Sequence, residues 1–313
     1  MSTLLQNARL IADGLEFPEG PIAMADGSVV LVEIKAQRLT RVAPDGMKTT
    51  IAEIPGGPNG AALGPDGAFY ICNNGGCFAW AEIGGLTLPG PLPDTYSGGS
   101  IQRVDPATGA VTSLYRACNG RPLRAPNDLV FDAGGGIWFT DHGTRTEHSA
   151  DRTAIHFCTA DGGRITSAVH PVDAPNGIGL SPAGDRVYWA ETHTGRVFRR
   201  TVSAAGVLAP VTPMDRSVLL CGLPGFMLLD SLAVDGDGHV CVATLVEAGI
   251  TAIHPETGDW EHFALPEEFA DPLTTNICFG GPDLRTAFIT LSGTGRLVAC
   301  DWPRRGLALN HAG

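Results

Sequence analysis

The sequence predicts an all-β, six-bladed propeller, and three observations point to it. Glycine (41) and proline (23) are abundant and no long amphipathic helical stripe is present, so helix is the minority state. A short unit recurs six times: a turn residue, an acid or Asn, a short apolar strand, a tight turn, then a second β-rich apolar strand. The acid-or-Asn positions of successive units lie 40, 68, 49, 54 and 46 residues apart, close to the roughly 40–50 residues of a propeller blade, with one long exception.

The first unit runs from Phe17-Pro18-Glu19-Gly20 to Val29-Val30-Leu31-Val32, and the second from Pro58-Asn59-Gly60 to Phe69-Tyr70-Ile71-Cys72. The third joins Pro126-Asn127-Asp128 to Ile137-Trp138-Phe139-Thr140, and the fourth joins Pro175-Asn176-Gly177 to Val187-Tyr188-Trp189-Ala190. The last two lead from Leu229-Asp230-Ser231 to Val240-Cys241-Val242-Ala243 and from Thr275-Asn276-Ile277 to Ala287-Phe288-Ile289-Thr290. Asp26-Gly27, Asp66-Gly67, Ala183-Gly184 and Asp237-Gly238 separate the two strands of a unit, where hairpin turns need residues that tolerate positive φ. Further strands such as Arg38–Val42 follow, so each unit reads as a four-stranded antiparallel blade.

One domain is therefore expected over 1–313, with a loop insertion at about 75–99 accounting for the long spacing. That insertion holds Trp80, Leu86, Leu88 and several prolines; a pocket wall and a bare surface excursion fit it equally. A parallel βαβ fold needs helices between strands, and these linkers are hairpin-sized. The tail from Gly306 onward carries no motif.

The formal charge of -12 and the absence of any Lys/Arg run argue against nucleic acid and membrane surfaces as partners. No basic segment precedes a long apolar one at the N-terminus and no apolar window reaches the roughly 18 residues of a membrane helix, so a cytoplasmic location is expected. The eight cysteines sit mostly in apolar strand-like runs and read as buried free thiols; Cys72 and Cys77 match no zinc-ligand spacing. The oligomeric state is open.

Equivalent positions of every blade lie on a ring about the axis, which here collects Glu19, Asn59, Asn127, Asn176, Asp230 and Asn276. Two carboxylates and four amides offer only hard oxygen donors, which suit Ca2+, Mg2+ or Mn2+. Asn and Asp also mark ordinary turns, but a turn requirement does not explain six such residues placed before the strand rather than in the hairpin. Asn74, Arg124, His142 and His193 fall in loops beside the inner strands and are candidate substrate contacts, as are Asn59 and Asn276. The histidines lack H-E-x-x-H spacing, the serines lack a G-x-S-x-G elbow, and no Gly-rich run opens a helix, which disfavours zincin, serine-nucleophile and phosphate-loop chemistry.

Phe-Pro-Glu19-Gly-Pro, Ala-Pro-Asn127-Asp128, Trp138-Phe-Thr-Asp141, Ala-Pro-Asn176-Gly177, Asp230-Ser-Leu-Ala-Val-Asp235 and Phe279-Gly-Gly-Pro-Asp283 together resemble the senescence marker protein (regucalcin), gluconolactonase and luciferin-regenerating enzyme family, with its diisopropyl fluorophosphatase relatives. The resemblance runs from about Leu15 to Trp302 and implies one divalent cation held by Glu19, Asn127, Asn176 and Asp230, with Asp230 also the base or nucleophile. Among Ca2+, Mg2+, Mn2+, Zn2+ and Fe2+ the resemblance leaves the ion open. Many relatives have Asp-Gly-Met or Asp-Gly-Leu where this chain has Asp230-Ser231-Leu232. The implied activity is hydrolysis of a small sugar lactone, a gluconolactonase-like reaction; a phosphotriesterase and a non-catalytic propeller scaffold are the alternatives. The scaffold has no use for two acids facing one axis.

Overall fold

The computed structural model describes residues 2–311 and consists of antiparallel sheets, with two single 3-10 turns, Arg216–Val218 and Glu267–Phe269, as the helical elements among them. Blade 1 is Pro18–Ala23, Val29–Glu33, Arg38–Val42 and Lys48–Glu53 from the inside outward. Blades 2 to 6 begin with the inner strands Pro58–Leu63, Pro126–Phe131, Pro175–Leu180, Leu228–Val234 and Thr274–Gly280. Neighbouring inner strands pack side by side around the axis and the sixth returns to the first. The fold is a six-bladed β-propeller.

The second strands Val29–Glu33, Phe69–Asn73 and Gly136–Asp141 are buried at every residue, so they read as continuous apolar runs instead of an alternating pattern. Between blades the sheets bury clusters such as Phe17, Val30, Val32, Leu39, Phe69 and Ile71. The predicted hairpin glycines do their work: Gly27, Gly67, Gly184 and Gly238 take φ between 68° and 88°. All eight cysteines are buried free thiols. No helix among the described residues is long and apolar enough to cross a membrane.

The N-terminus completes the ring. Gln6–Ala12 pairs with Arg296–Asp301 as the outermost strand of blade 6, and Thr3–Leu4 runs parallel to Trp260–Ala264 of blade 5. Blade 6 is thus built from both ends of the chain, which closes the circle non-covalently and leaves no open sheet edge between first and last blades.

Each inner strand carries a shift in pairing register at one equivalent place: Glu19/Ile22, Pro58/Ala61, Pro126/Leu129, Pro175/Ile178, Leu229/Leu232 and Thr274/Asn276. A bulge inserts an unpaired residue and re-aims the side chains around it. The residue after the ring position faces the next blade at close quarters, which is why it is so often glycine. A Cβ on Gly60 would lie 2.5 Å from the Asn127 carbonyl oxygen, and one on Gly177 would lie 2.4 Å from the Leu232 nitrogen.

The insertion folds as a hairpin, Trp80–Ile83 with Leu86–Pro89, where an irregular loop was expected. Trp80 packs on Phe17 of blade 1 with ring centroids 4.9 Å apart, and the Thr87 amide donates to the Gly293 carbonyl of blade 6 at 2.8 Å. The short Gly84-Gly85 turn, both residues at positive φ, joins the two strands, and anchoring on Phe17 gives the hairpin a fixed seat. The motif-free tail also has a place: Leu307 to Asn310 lie across the far end of the axial channel, a cavity of about 790 Å3, with Asn310 Nδ2 donating to the Phe131 carbonyl.

Replacing Gly177 by Val should cost about 3 kcal/mol through overpacking of backbone that cannot retreat. Urea unfolding measures it; an unchanged midpoint would show that the inner strands can separate without loss.

Candidate functional site

The register slips lie at or beside the six ring positions of the inner strands. Glu19, Asn59, Asn127, Asn176 and Asn276 are buried, whereas Asp230 is half-buried and is the ring carboxylate with access to solvent. Asn276 Nδ2 donates to Glu19 Oε2 at 2.7 Å, and the Gly20 amide donates to the same oxygen at 2.8 Å. Asn276 is fully committed, since its Oδ1 accepts from the Ile277 amide. Asn176 Nδ2 donates to Thr192 Oγ1, and its Oδ1 accepts from Ser231 Oγ at 3.4 Å, so the serine standing where many relatives have glycine is tied into the ring.

Asn127 Oδ1 is buried with no hydrogen-bond partner. An orphaned carbonyl oxygen in a buried site costs about 1–3 kcal/mol unless something absent from the polypeptide meets it.

The acids show the same deficit. Burial pushes the Glu19 carboxyl up from its ordinary value, against the hydrogen bonds from Asn276 and Gly20. Burial, then the neighbouring Glu19 charge, raises Asp230 well above the ordinary carboxylate range, while Asn176 opposes the rise. A third acid joins them: burial and then Glu19 raise Asp128 to about 8, although it accepts backbone amides from Leu129 and Ile178. Among the described residues none of these three acids forms an ion pair with Lys, Arg or His. No three His, Cys, Asp or Glu side chains among them gather as a metal cluster; the donors at the axis are carboxylates mixed with amides. A hard divalent cation fits that set, because it would neutralise the acids and meet the Asn127 oxygen together.

Asp128 went unassigned in the sequence, yet its signal was there: of the three Pro-Asn units, two continue with glycine and the third, Pro126-Asn127-Asp128, with an acid. A second set of polar residues was also missed. Glu33, Asn73, Asp141 and Glu191 pair across from the proline before the ring residue, at the ends of second strands, and accept the backbone amides that lead into the inner strands. Asp141 alone accepts the amides of Arg124, Ala125 and Gly143.

The candidate contact residues surround the same face without meeting at one point. Asn74 is buried, its Oδ1 accepting from Gly76 and its Nδ2 without a partner. Arg124 is bound up with Asp151 at 2.8 Å and lies over the Tyr96 ring of the insertion. His142 and His193 stand edge to face with centroids 6.0 Å apart; burial drives His142 down to about 4 and His193 in the same direction, so both imidazoles are neutral at physiological pH. Asn59 is buried in the ring.

A family model described as the SMP-30/gluconolactonase/LRE-like region matches residues 17–293. A gluconolactonase of Zymomonas mobilis is 22% identical over 316 residues, spanning 90% of this chain and 78% of the relative. A pentonolactonase of Haloferax volcanii is 27% identical over 188 residues, 59% of this chain and 60% of the relative. Among solved structures, a calcium-binding regucalcin from Agrobacterium tumefaciens superposes with a TM-score of 0.76 at 19% identity, covering 100% of this chain and 99% of that one. A gluconolactonase from Xanthomonas campestris gives 0.72 at 20% identity over 95% and 89%. With a model matched from the first inner strand to the last blade, the chain belongs to the SMP-30/gluconolactonase/LRE-like family.

Proposed function

We propose that this chain is a lactonase that uses one divalent cation at the propeller axis to open a sugar lactone, such as a gluconolactone or pentonolactone, to the acid. The observation that carries the reading is the uncompensated oxygen cluster: Asn127 Oδ1 without a partner beside buried acids without a cationic side chain. The lactonase names among the relatives and the calcium-binding regucalcin among the structural neighbours support it. Glu19, Asn127, Asn176 and Asp230 would hold the ion, and their oxygen donors suit Ca2+, Mg2+ or Mn2+ better than Zn2+ or Fe2+.

When bound there, a divalent cation supplies polarisation of the lactone carbonyl and stabilises the negative charge that develops on its oxygen. Asp230 takes a proton from the attacking water as the water oxygen bonds to the carbonyl carbon. The ring C–O bond then breaks, and the proton passes from Asp230 to the departing alkoxide, leaving a hydroxy acid. Asp230 suits this role because it is less enclosed than Glu19, and burial raises its basicity while coordination lowers it. Asn276 holds Glu19 in position through its 2.7 Å hydrogen bond. Asn59, Asn74, Arg124 and the neutral His142 and His193 supply hydrogen bonds to sugar hydroxyls.

Asp230→Asn should retain most bound metal and lose about 10²- to 10³-fold in lactone turnover, whereas Glu19→Gln should lose metal first. Metal content and kcat measured together on gluconolactone, a pentonolactone and a fluorophosphate test this. Unchanged turnover of the Asp230 variant at full occupancy removes Asp230 from the chemistry, and a strong preference for the fluorophosphate replaces the lactonase with a phosphotriesterase.

The acids also predict a pH signature. Carboxyls raised by burial stabilise the fold while protonated, and that contribution is lost as pH rises from the ordinary carboxylate range near 4 through the folded-state values, about 8 for Asp128. Chelated protein should therefore lose thermal stability between pH 5 and pH 8, and Ca2+ should restore more at pH 8 than at pH 5. Calorimetry with equal Ca2+ stabilisation at both values would show that no cation neutralises these acids.

A further inference from the structure

Beside the axis lies a cavity of about 440 Å3 that the repeat unit does not provide. Its walls come from blade 1 (Lys35, Gln37), from the loop after blade 2's second strand (Asn74) and from the insertion (Phe78, Trp80, Thr95). Two of the segments that lead to the ring border the cavity. Gly56 in its lining is three residues before Asn59, and Trp80 rests on Phe17, two residues before Glu19.

The lining chemistry selects among ligands. An anion finds little there, because the cation in the wall, Lys35, is already paired with Glu82. A purely apolar group would leave Asn74 Nδ2, buried and without a hydrogen-bond partner, unsatisfied. A neutral polyhydroxylated ring meets both demands: its hydroxyls pair with the Asn74 and Gln37 amides and Thr95, and its C–H face lies on Phe78 and Trp80. The space is also larger than one small sugar ring requires, within the roughly 300–1,000 Å3 of small-molecule sites.

We propose that this cavity is a glycosyl subsite, so that the preferred substrate is an aldonolactone carrying a second sugar on one of its hydroxyls, the lactone lying over the axial ring and the second sugar under the insertion. The proposal rests on the lactonase reading for the position of the lactone and on the cavity alone for the second sugar.

The test compares gluconolactone with its 4-O- and 6-O-glucosyl derivatives on the metal-loaded full-length protein. Wild type should show kcat/KM at least tenfold higher for a glucosyl lactone than for gluconolactone. Thr95→Phe, an exposed position that narrows the cavity, should remove that advantage through KM and leave gluconolactone kinetics unchanged. Equal or poorer use of the glucosyl lactones by wild type overturns the proposal, as does a Thr95→Phe effect shared by all three. A second measurement needs no turnover: titration with a reduced glucosyl-glucitol should quench tryptophan fluorescence saturably, and the quenching should vanish in Trp80→Phe and in Thr95→Phe. Should wild type open no lactone with any divalent cation, the lactonase reading falls and this titration alone decides the subsite; quenching lost in both variants upholds it, and no quenching overturns it.

Discussion

At the start of every inner strand the pairing register slips, at or beside the position that carries Glu19, Asn59, Asn127, Asn176, Asp230 or Asn276. Regular pleating would send alternate side chains into the inter-blade cores and leave the axis to whatever fell there. Six slips at one level instead bring residues 257 positions apart, Glu19 and Asn276, within hydrogen-bonding distance. The close approach of neighbouring strands that follows the slip then demands glycine at Gly20, Gly60 and Gly177, while in blades 3 and 5 the next side chain, Asp128 or Ser231, bonds across the gap. Asp128 is of the second kind, its carboxylate receiving the Ile178 amide of the next blade.

The protein treats its other buried acids differently. Glu33 is paired with Arg38, Asp235 with Arg304, and Asp141 is surrounded by three backbone amides. For Glu33 and Asp235 a guanidinium answers the charge, whereas for Asp141 the three amides oppose a rise that burial still produces. At the axis three acids share one region, neither Arg nor Lys is paired with them, and one amide oxygen has no donor. Buried like charges without compensation are costly, so the axis is the place where the proposed cation would remove a deficit that the chain leaves unanswered.

Much of the fold was legible in the sequence because a circular repeat makes position informative: the recurring acid or Asn marked the start of each inner strand, and Asp-Gly turns marked the hairpins. What escaped notice has physical causes. Gln6–Ala12 closes blade 6 by pairing with strands almost 300 residues away, and no local pattern encodes such a partner. The hairpin at Trp80 is defined by its seat on Phe17, a tertiary contact. Glu33, Asn73, Asp141 and Glu191 form a repeat as regular as the ring, but their task is to accept backbone amides, which composition does not reveal. Asp128 was visible only as a break in the Pro-Asn-Gly pattern, and its burial beside Glu19 appears only in three dimensions.

The ring residues look interchangeable in sequence, and their surroundings make them unequal. Glu19 is almost fully enclosed and receives hydrogen bonds from Asn276 and Gly20 on Oε2, which fix its orientation. Asp230 is half-exposed, on the same ring, with its charge disfavoured by burial and by Glu19. A group that only binds an ion gains from rigidity and enclosure, whereas a group that exchanges a proton with water must be reachable and must hold that proton neither too loosely nor too tightly. On the proposed lactonase reading, two acids equivalent by repeat would acquire separate work, the enclosed one to hold and the more accessible one to react, and the division would follow from how far the surrounding blades cover each of them.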